Sequence, residues 1–398
     1  MKIIELTETQ FKNYSALHSS RNYFQTVEFA KTKPNYESLF LGFINEENST
    51  LMAATLILIK PFGKFKIGYI PGGFLIDYEN EELFRNFTTI LKEELKKRKF
   101  IYLTLNNNSI YKIFAKNGEL LYFDTNTIKL LDELGYTKSE KNTHKKVVLE
   151  TEKTPEETYK MFNQNTKKNI KVALRRSISI YQDKSNNIDI LTSLLPASSI
   201  EKIKKYLASF TTKNNKAEIY LAKLNPEQYI NNYRFLLKEE ELKNDKLNSI
   251  MQNINIKKSI SFIRKKMLSD QLITTYNNEI IKATNIYSKY SKEILMGAIV
   301  IIKNNREIYF LEEGYNKELA SFYSSHLIKW EIIKKHLESG YKIFNFGKIS
   351  TINSSTANFK LGFGGRVYEY LGNYDLIINK WLYRIAKLIT IIKSNSSK

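Results

Sequence analysis

Apolar positions in the first 150 residues recur with two periods. The runs SLFLGFI (38–44) and TLMAATLILIK (50–60) are continuous and β-branched, and polar residues separate them, so both predict strands. KFKIGYIPGGFLIDY (64–78) predicts a third strand ending in a Pro-Gly-Gly turn. The period then changes. Apolar residues fall at 83, 84, 87, 90, 91 and 95, along one face of an amphipathic helix over 81–100. IYLTLN (101–106) returns to strand. This mixed order predicts a sheet domain of α/β (α+β) class ending near residue 150.

A capped helix is predicted from 154 to 181. Thr154 is the cap, Pro155 fits the first turn, and Glu157 completes a capping-box spacing. From Glu227 to Met296 there is neither glycine nor proline, and apolar residues recur at 236, 237, 242, 247, 250, 254, 260, 263 and 267. Steps of three and four with charges between them predict long helices sharing a narrow apolar seam. An antiparallel helical arm over 235–285 follows, reversing near 252–256 or 269–271. Beyond it, EILMGAIVIIK (293–303) and EIYFLEEGY (307–315) predict a hairpin around 304–306. Residues 319–340 predict a helix stopped by Gly340, and KIFNFG (342–347) a strand. A polar loop is expected from 350 to 365, then the strand RVYEYLGNYDLII (366–378). The tail, KWLYRIAKLITIIKSNSSK, predicts a basic amphipathic helix that docks on the core or touches a membrane surface. The second sheet region thus spans 151–234 and 286–398, with the arm inserted in it.

The chain has 398 residues, enough for two or three domains, and its apolar and charged fractions are those of an ordinary globular protein. It carries 62 Lys and Arg against 41 Asp and Glu, a formal charge of +21. Such a charge suits polyanionic partners: RNA, an anionic membrane face, or substrates bearing pyrophosphate. Compositional drift toward lysine, asparagine and isoleucine produces the same number. Cysteine is absent, which removes disulfides and thiolate chemistry and suits a cytosolic compartment. The first residues lack the pattern of a signal peptide, and no run of eighteen uncharged apolar residues predicts a spanning helix.

His18, His144, His326 and His336 form neither H-x-H nor HExxH, so no metal site is expected. Nucleophile-elbow, Walker and GxGxxG patterns are missing too. The chemistry left is positioning plus charge stabilisation. One candidate is FKLGFGG (359–365), where a single lysine adjoins a glycine-rich segment. The ammonium of Lys360 could face a developing oxyanion, and glycines let backbone approach a ligand. Such glycines more often serve a tight turn alone. A second candidate is the basic set Lys167, Lys168, Lys171, Arg175 and Arg176, either a solvated face or a cradle for phosphate or RNA backbone.

The segment FNFGKIS…FKLGFGGRVYEYLGNYDLIINKWLY resembles the signature of the FemABX family of peptidoglycan-bridge aminoacyltransferases. YLAKLNPEQYINNYRFLLKEEELKND resembles the lead-in to the coiled-coil arm of its FemA/FemB-like branch, and SSHLIKWEIIKKHLESGYKIFNFG its helix–strand step. FQTVEFAKTK is similar to the family's N-terminal motif, YIPGGFLIDY to its strand–proline turn, and NTKKNIKVALRRS to its basic helix. The matches keep their order over almost the whole chain. Phe29 stands where tryptophan is usual and Gly72 where arginine is frequent, and the stretch between RRSISIY and AEIYLAKLN shows no match.

The resemblance implies two GNAT-like acyltransferase domains with a helical arm inserted in the second, and no cofactor or metal. It implies transfer of glycine, serine or alanine from aminoacyl-tRNA to the stem-peptide amine of a peptidoglycan precursor, either lipid II or UDP-MurNAc-peptide. The location implied is cytoplasmic, peripheral at the inner membrane face, with homo- or hetero-oligomers of related transferases. Divergent members would acylate another amine or only bind tRNA or membrane. Lys360 is implied to stabilise the tetrahedral oxyanion, with Phe359 its aromatic neighbour. Lys31 or Lys33 is implied to bind precursor phosphate, and Gly364 and Gly365 to give the substrates room.

Overall fold

The computed structural model describes residues 1–139, 144–252, 256–290, 292–305 and 307–396. Among them, the strands in chain order are β1 (Lys2–Glu5), β2 (Glu37–Ile44), β3 (Leu51–Phe62), β4 (Phe65–Ile70), β5 (Phe100–Phe114), β6 (Leu120–Phe123) and β7 (Tyr136–Lys138). They continue with β8 (His144–Glu150), β9 (Ile178–Asp183), β10 (Asn215–Leu224), β11 (Ile294–Asn304), β12 (Glu307–Tyr315), β13 (Ile343–Ile349) and β14 (Arg366–Ile377). They build one continuous sheet in the order β1-β2-β3-β4-β5-β14-β8-β13-β12-β11-β10-β9, with β6 added beside β5 and β7 beside β14.

The two halves repeat one device. In the first, antiparallel β2, β3 and β4 lead through helix Glu81–Lys97 to a parallel β4–β5 pair. In the second, antiparallel β10, β11 and β12 lead through helix Ser324–Glu338 to a parallel β12–β13 pair. A parallel pair needs a crossover, and a helix with one apolar face supplies it while covering the sheet. Leu83, Phe84, Phe87, Leu91 and Leu95 are buried on the first helix; Leu327, Ile328, Ile332 and Ile333 on the second. β14 joins the halves, pairing with β5 on one side and β8 on the other.

The arm sits between two neighbouring strands, β10 and β11. Its helices are Pro226–Met251 and Ile256–Tyr290, which run antiparallel, and of the expected reversal point 252–256 residues 253–255 lie outside the described residues. Residues 269–271, the alternative reversal point, lie inside the second helix. The expected apolar seam is corrected over its outer part. Leu242, Ile250, Ile260, Ile263 and Met267 are exposed. The buried contacts there are polar: Ser269 donates to Glu240 at 2.8 Å and Asn244 to Asp270 at 2.8 Å. At the base, the Arg176 guanidinium grips Glu279 through two bonds of 2.9 and 2.6 Å, and its Cζ lies 4.6 Å from the ring centroid of Phe322.

Two further expectations change. The capping box at Thr154 forms, but the helix ends at Met161. A new one, Gln164–Arg175, starts from the side-chain cap of Asn163, and β9 follows. Phe162 and Asn163 are extended, and the Asn163 side chain then caps a new helix. The polar loop of 350–365 holds a short helix, Ser355–Leu361, because Ser354 caps the amide of Ala357 at 3.1 Å.

Candidate active site

Lys360 lies on that short helix and is buried. Its Nζ donates to the carbonyl oxygen of Lys348 at 2.9 Å. A bulge prepares the acceptor. In the β13–β8 ladder Asn345 faces Val148 and Lys348 faces Lys146, so Phe346 and Gly347 together oppose Val147. Gly347 adopts φ +77°, a conformation that favours glycine. A Cβ there would lie 3.7 Å from the hydroxyl of Tyr309 and 4.0 Å from Nζ of Lys360, so the two polar groups flank this glycine. Burial lowers the Lys360 pKa to about 8. Phe359 meets the His326 ring at 4.7 Å, and His326 bonds to Asn169 at 3.2 Å. Burial lowers the His326 pKa to about 4, so the ring is neutral at physiological pH.

A second lysine belongs here. Lys329 is 1 % exposed, pairs with Glu313, and lies 4.9 Å from the Phe359 ring centroid. Burial and the neighbouring Lys360 both push its pKa down. A signal was present in the sequence: Lys329 shares the inner face of its helix with Ile332, Ile333 and His336.

Tyr309 also lines a cleft of about 1050 Å³ between the two halves. Its walls come from β5, β8, β12, β13 and β14 and from the segments 19–24, 72–81 and 122–130. Lys146 is buried there between the rings of Phe24 and Tyr370, at 5.7 and 4.5 Å, and burial lowers its pKa to about 8. Asn345 donates to Glu307 at 2.8 Å, while burial raises that carboxyl's pKa. Asn107 is 1 % exposed, and its Nδ2 has no hydrogen-bond partner among the described residues. The lining carboxylates are Asp77, Glu79, Glu81, Asp124, Glu150 and Glu307, facing only Arg21 and Lys146 among lining lysines and arginines. In a chain of charge +21 this cleft is locally acidic, a setting suited to an incoming amine.

A smaller pocket of about 330 Å³ has the opposite sign. Lys33 meets Lys202 and Lys205 of helix Ala197–Ser209 there, with Tyr36 and Tyr206 in the walls and Glu201 also lining it. Lys33 lies 5.4 Å over the Phe29 ring, and burial together with the two lysines lowers its pKa. The stretch without a motif match thus delivers the partners of Lys33. An aromatic ridge links the pockets: Tyr206 to Tyr23 at 6.4 Å, and Tyr23 to Tyr309 at 4.8 Å. Gly72 has φ +75° and a Cβ there would sit 2.3 Å from Asn22 Oδ1, so arginine could not replace it without rearranging this loop.

Other residues singled out in the sequence lie elsewhere. Lys31 points to Glu8 at 3.2 Å in an exposed pair. A Cβ on Gly364 would meet Met161 at 3.1 Å, and one on Gly365 would meet Val147 at 2.9 Å and the Val148 carbonyl at 3.0 Å. Both glycines thus have a structural reason, a φ of +81° at Gly364 and close packing at Gly365. Lys168, Lys171 and Arg175 are exposed, and Lys167 bonds to the Lys160 carbonyl at 2.7 Å. Arg176 leaves this set, because it is buried in the ion pair with Glu279.

Two linked sheet halves, each with a β-α-β crossover, and a cleft between them define a tandem acetyltransferase-like fold. A tandem GNAT protein from the clavulanic acid biosynthesis pathway superposes with a TM-score of 0.50 at 9% identity, covering 95% of this chain and 98% of that one. The crystal structure of FemX superposes with a TM-score of 0.73 at 17% identity, covering 97% and 99%. The chain belongs to the FemAB family, whose model matches residues 6–390. Aminoacyltransferase FemA of Staphylococcus aureus strain N315 is 23% identical over 420 residues, spanning 99% of both chains.

Proposed function

We propose that this FemAB-family chain takes glycine, serine or alanine from aminoacyl-tRNA and attaches it to the stem-peptide amine of a peptidoglycan precursor. The amine nitrogen attacks the ester carbonyl and a C–N bond forms. The ester C–O bond breaks, and the tRNA hydroxyl leaves with the proton released by the amine. No covalent enzyme intermediate is required, in keeping with a site that offers cations and dipoles rather than a nucleophile.

The observation that carries this reading is Lys360, a buried ammonium beside the bulge that adjoins the cleft wall at Tyr309. Its charge is suited to the oxyanion of the tetrahedral intermediate. The acidic cleft suits the acceptor amine. The Lys33, Lys202 and Lys205 pocket suits the pyrophosphate of lipid II or of UDP-MurNAc-peptide. Lys168, Lys171 and Arg175 suit the tRNA backbone. This reading places the protein in the cytoplasm, peripheral at the inner membrane face. Among the described residues no helix is long and apolar enough to cross a membrane.

The test is transfer with separately charged glycyl-, seryl- and alanyl-tRNA and both precursor forms, read by mass spectrometry. One product from one donor is expected. No product with any donor, beside an active family control, would overturn the reading in favour of another acceptor or a binding role.

A further inference from the structure

We propose that the outer face of the C-terminal helix, together with the adjoining β3–β4 hairpin, is a docking surface for an anionic lipid bilayer. The inference rests on the membrane-proximal part of the function proposed above, and it names the surface.

Over residues 381–389, helix Lys380–Ser396 is apolar on two sides. Its inner side, Leu382, Tyr383 and Ala386, packs on Ile101, Tyr102, Phe62, Phe65 and Ile67. Its outer side carries Trp381, 71% exposed, and Leu388, 60% exposed, with Ile385 between them. Offsets of four and three stack these residues along one line of the helix. An exposed indole and leucine on a well-docked helix are unexplained by the fold.

The charge on the helix has one sign, and the acid beside the hairpin, Glu37, is taken up by Lys66 at 3.6 Å. The helix contains no Asp or Glu. Lys380 and Arg384 are exposed beside Trp381. Lys387 does not count, because it is paired at 2.7 Å with the buried Asp375. The hairpin sequence KPFGKFK adds Lys60 and Lys64, both exposed, with Lys64 lying 5.6 Å over the ring of Phe65. Phe65 also packs with the helix's inner side, so helix and hairpin form one surface.

A bilayer with anionic headgroups fits both features: basic side chains meet the phosphates, and tryptophan and leucine enter the headgroup–acyl boundary. A second copy fits worse, since a two-fold contact would set this acid-free helix against itself. Nucleic acid would use the charges and leave the apolar line in water. Tyr102 under the helix and Asn107 in the cleft wall lie on the same strand, five residues or roughly 17 Å apart. A bilayer held there would lie near the mouth of the cleft.

The experiment is co-sedimentation of the full chain with phosphatidylcholine vesicles, with and without phosphatidylglycerol. Wild type should bind the anionic vesicles, more weakly as salt rises, and Trp381 emission should shift to the blue. Trp381→Ser with Leu388→Ser should weaken binding by at least about tenfold, and Lys64→Glu with Arg384→Glu should weaken it comparably. All four positions are exposed or at a helix surface, so thermal unfolding and transfer to the UDP-linked acceptor should stay at the wild-type level. Equal vesicle binding by wild type and the double variants would overturn this surface and leave the membrane-proximal function standing. No vesicle binding by wild type would overturn both. Lost tRNA binding with vesicle binding retained would assign the face to RNA and overturn the proposal.

Discussion

Nζ of Lys360 donates to the carbonyl oxygen of Lys348 at 2.9 Å, and no carboxylate is ion-paired with it among the described residues. The nearby Lys329 takes Glu313 instead. Lys360 therefore keeps an uncompensated charge, which the proposed mechanism directs at the developing oxyanion. Lys360→Ala should slow transfer by about 10²-fold or more, the scale of removing one oxyanion donor. Filter binding of aminoacyl-tRNA should be unchanged. A variant that transfers at the wild-type rate would remove Lys360 from the mechanism.

The same lysine sets a pH limit. Its pKa is lowered from 10.5 to about 8. The ammonium form is lost as pH rises through about 8, while the acceptor amine, ordinarily about 10.4, is still losing its own proton. The rate should therefore rise with pH up to about 8 and level off there, whereas Lys360→Ala should keep rising. Stability responds to the same proton. Between about 8 and 10.5 the unfolded chain holds a proton that the folded chain has released, so the lysine's burial penalty fades as pH rises. Lys360→Met should therefore raise the melting temperature most below pH 8, and the gain should shrink above it. A gain independent of pH would show that Lys360 is not the titrating group.

Lys33 and Lys31 are two residues apart and should behave differently. Lys33 shares a pocket with Lys202 and Lys205, whereas Lys31 is an exposed partner of Glu8. Lys33→Ala should raise KM for a pyrophosphate-bearing acceptor about tenfold or more, because hydrogen bonds to charged groups contribute roughly 1.5–3 kcal/mol. Lys31→Ala should change neither KM nor stability measurably, as exposed pairs contribute under about 1 kcal/mol. The opposite ranking would move the phosphate site to the Lys31 side of the helix.

Arg176 and Glu279 anchor the arm. Glu279→Ala leaves the guanidinium without its carboxylate, and Tyr229, which also bonds Glu279, loses that acceptor. The loss should be about 3 kcal/mol, the cost of breaking a buried pair from one side. Removing both partners should cost less than the sum of the singles, measured by urea unfolding in a double-mutant cycle. Strict additivity would mean that the two residues do not act as a pair.

Gly365→Ala should destabilise the fold by about 2 kcal/mol, because its Cβ would press on Val147 and on the Val148 carbonyl at 3.0 Å or less. A variant with wild-type stability and impaired transfer would restore a substrate role for this glycine.

Much of this was legible without coordinates. The strands 38–44, 50–60 and 293–303, the helix 81–100 and the breaker-free arm follow from periodicity, because local burial patterns are written locally. The helix holding Lys360 was not, because its signal is a single serine cap within polar sequence. Lys329 is not legible from its own side chain either, because a charged group on the inward face of a helix gives no apolar signal.

The sequence by itself determined most of the strands and helices and the place of the arm, since each depends on residues near one another in the chain, and its resemblance to the FemABX family singled out Lys360 as a candidate. Only the tertiary structure set the surroundings of Lys33 apart from those of Lys31, by bringing helix Ala197–Ser209 against Lys33, and removed Arg176 from the basic face by pairing it with Glu279. It also set Lys360 beside Tyr309 through a bulge in β13. Those relations join residues from about 12 to 170 positions apart, and no local pattern encodes which distant side chain will share a low-dielectric pocket.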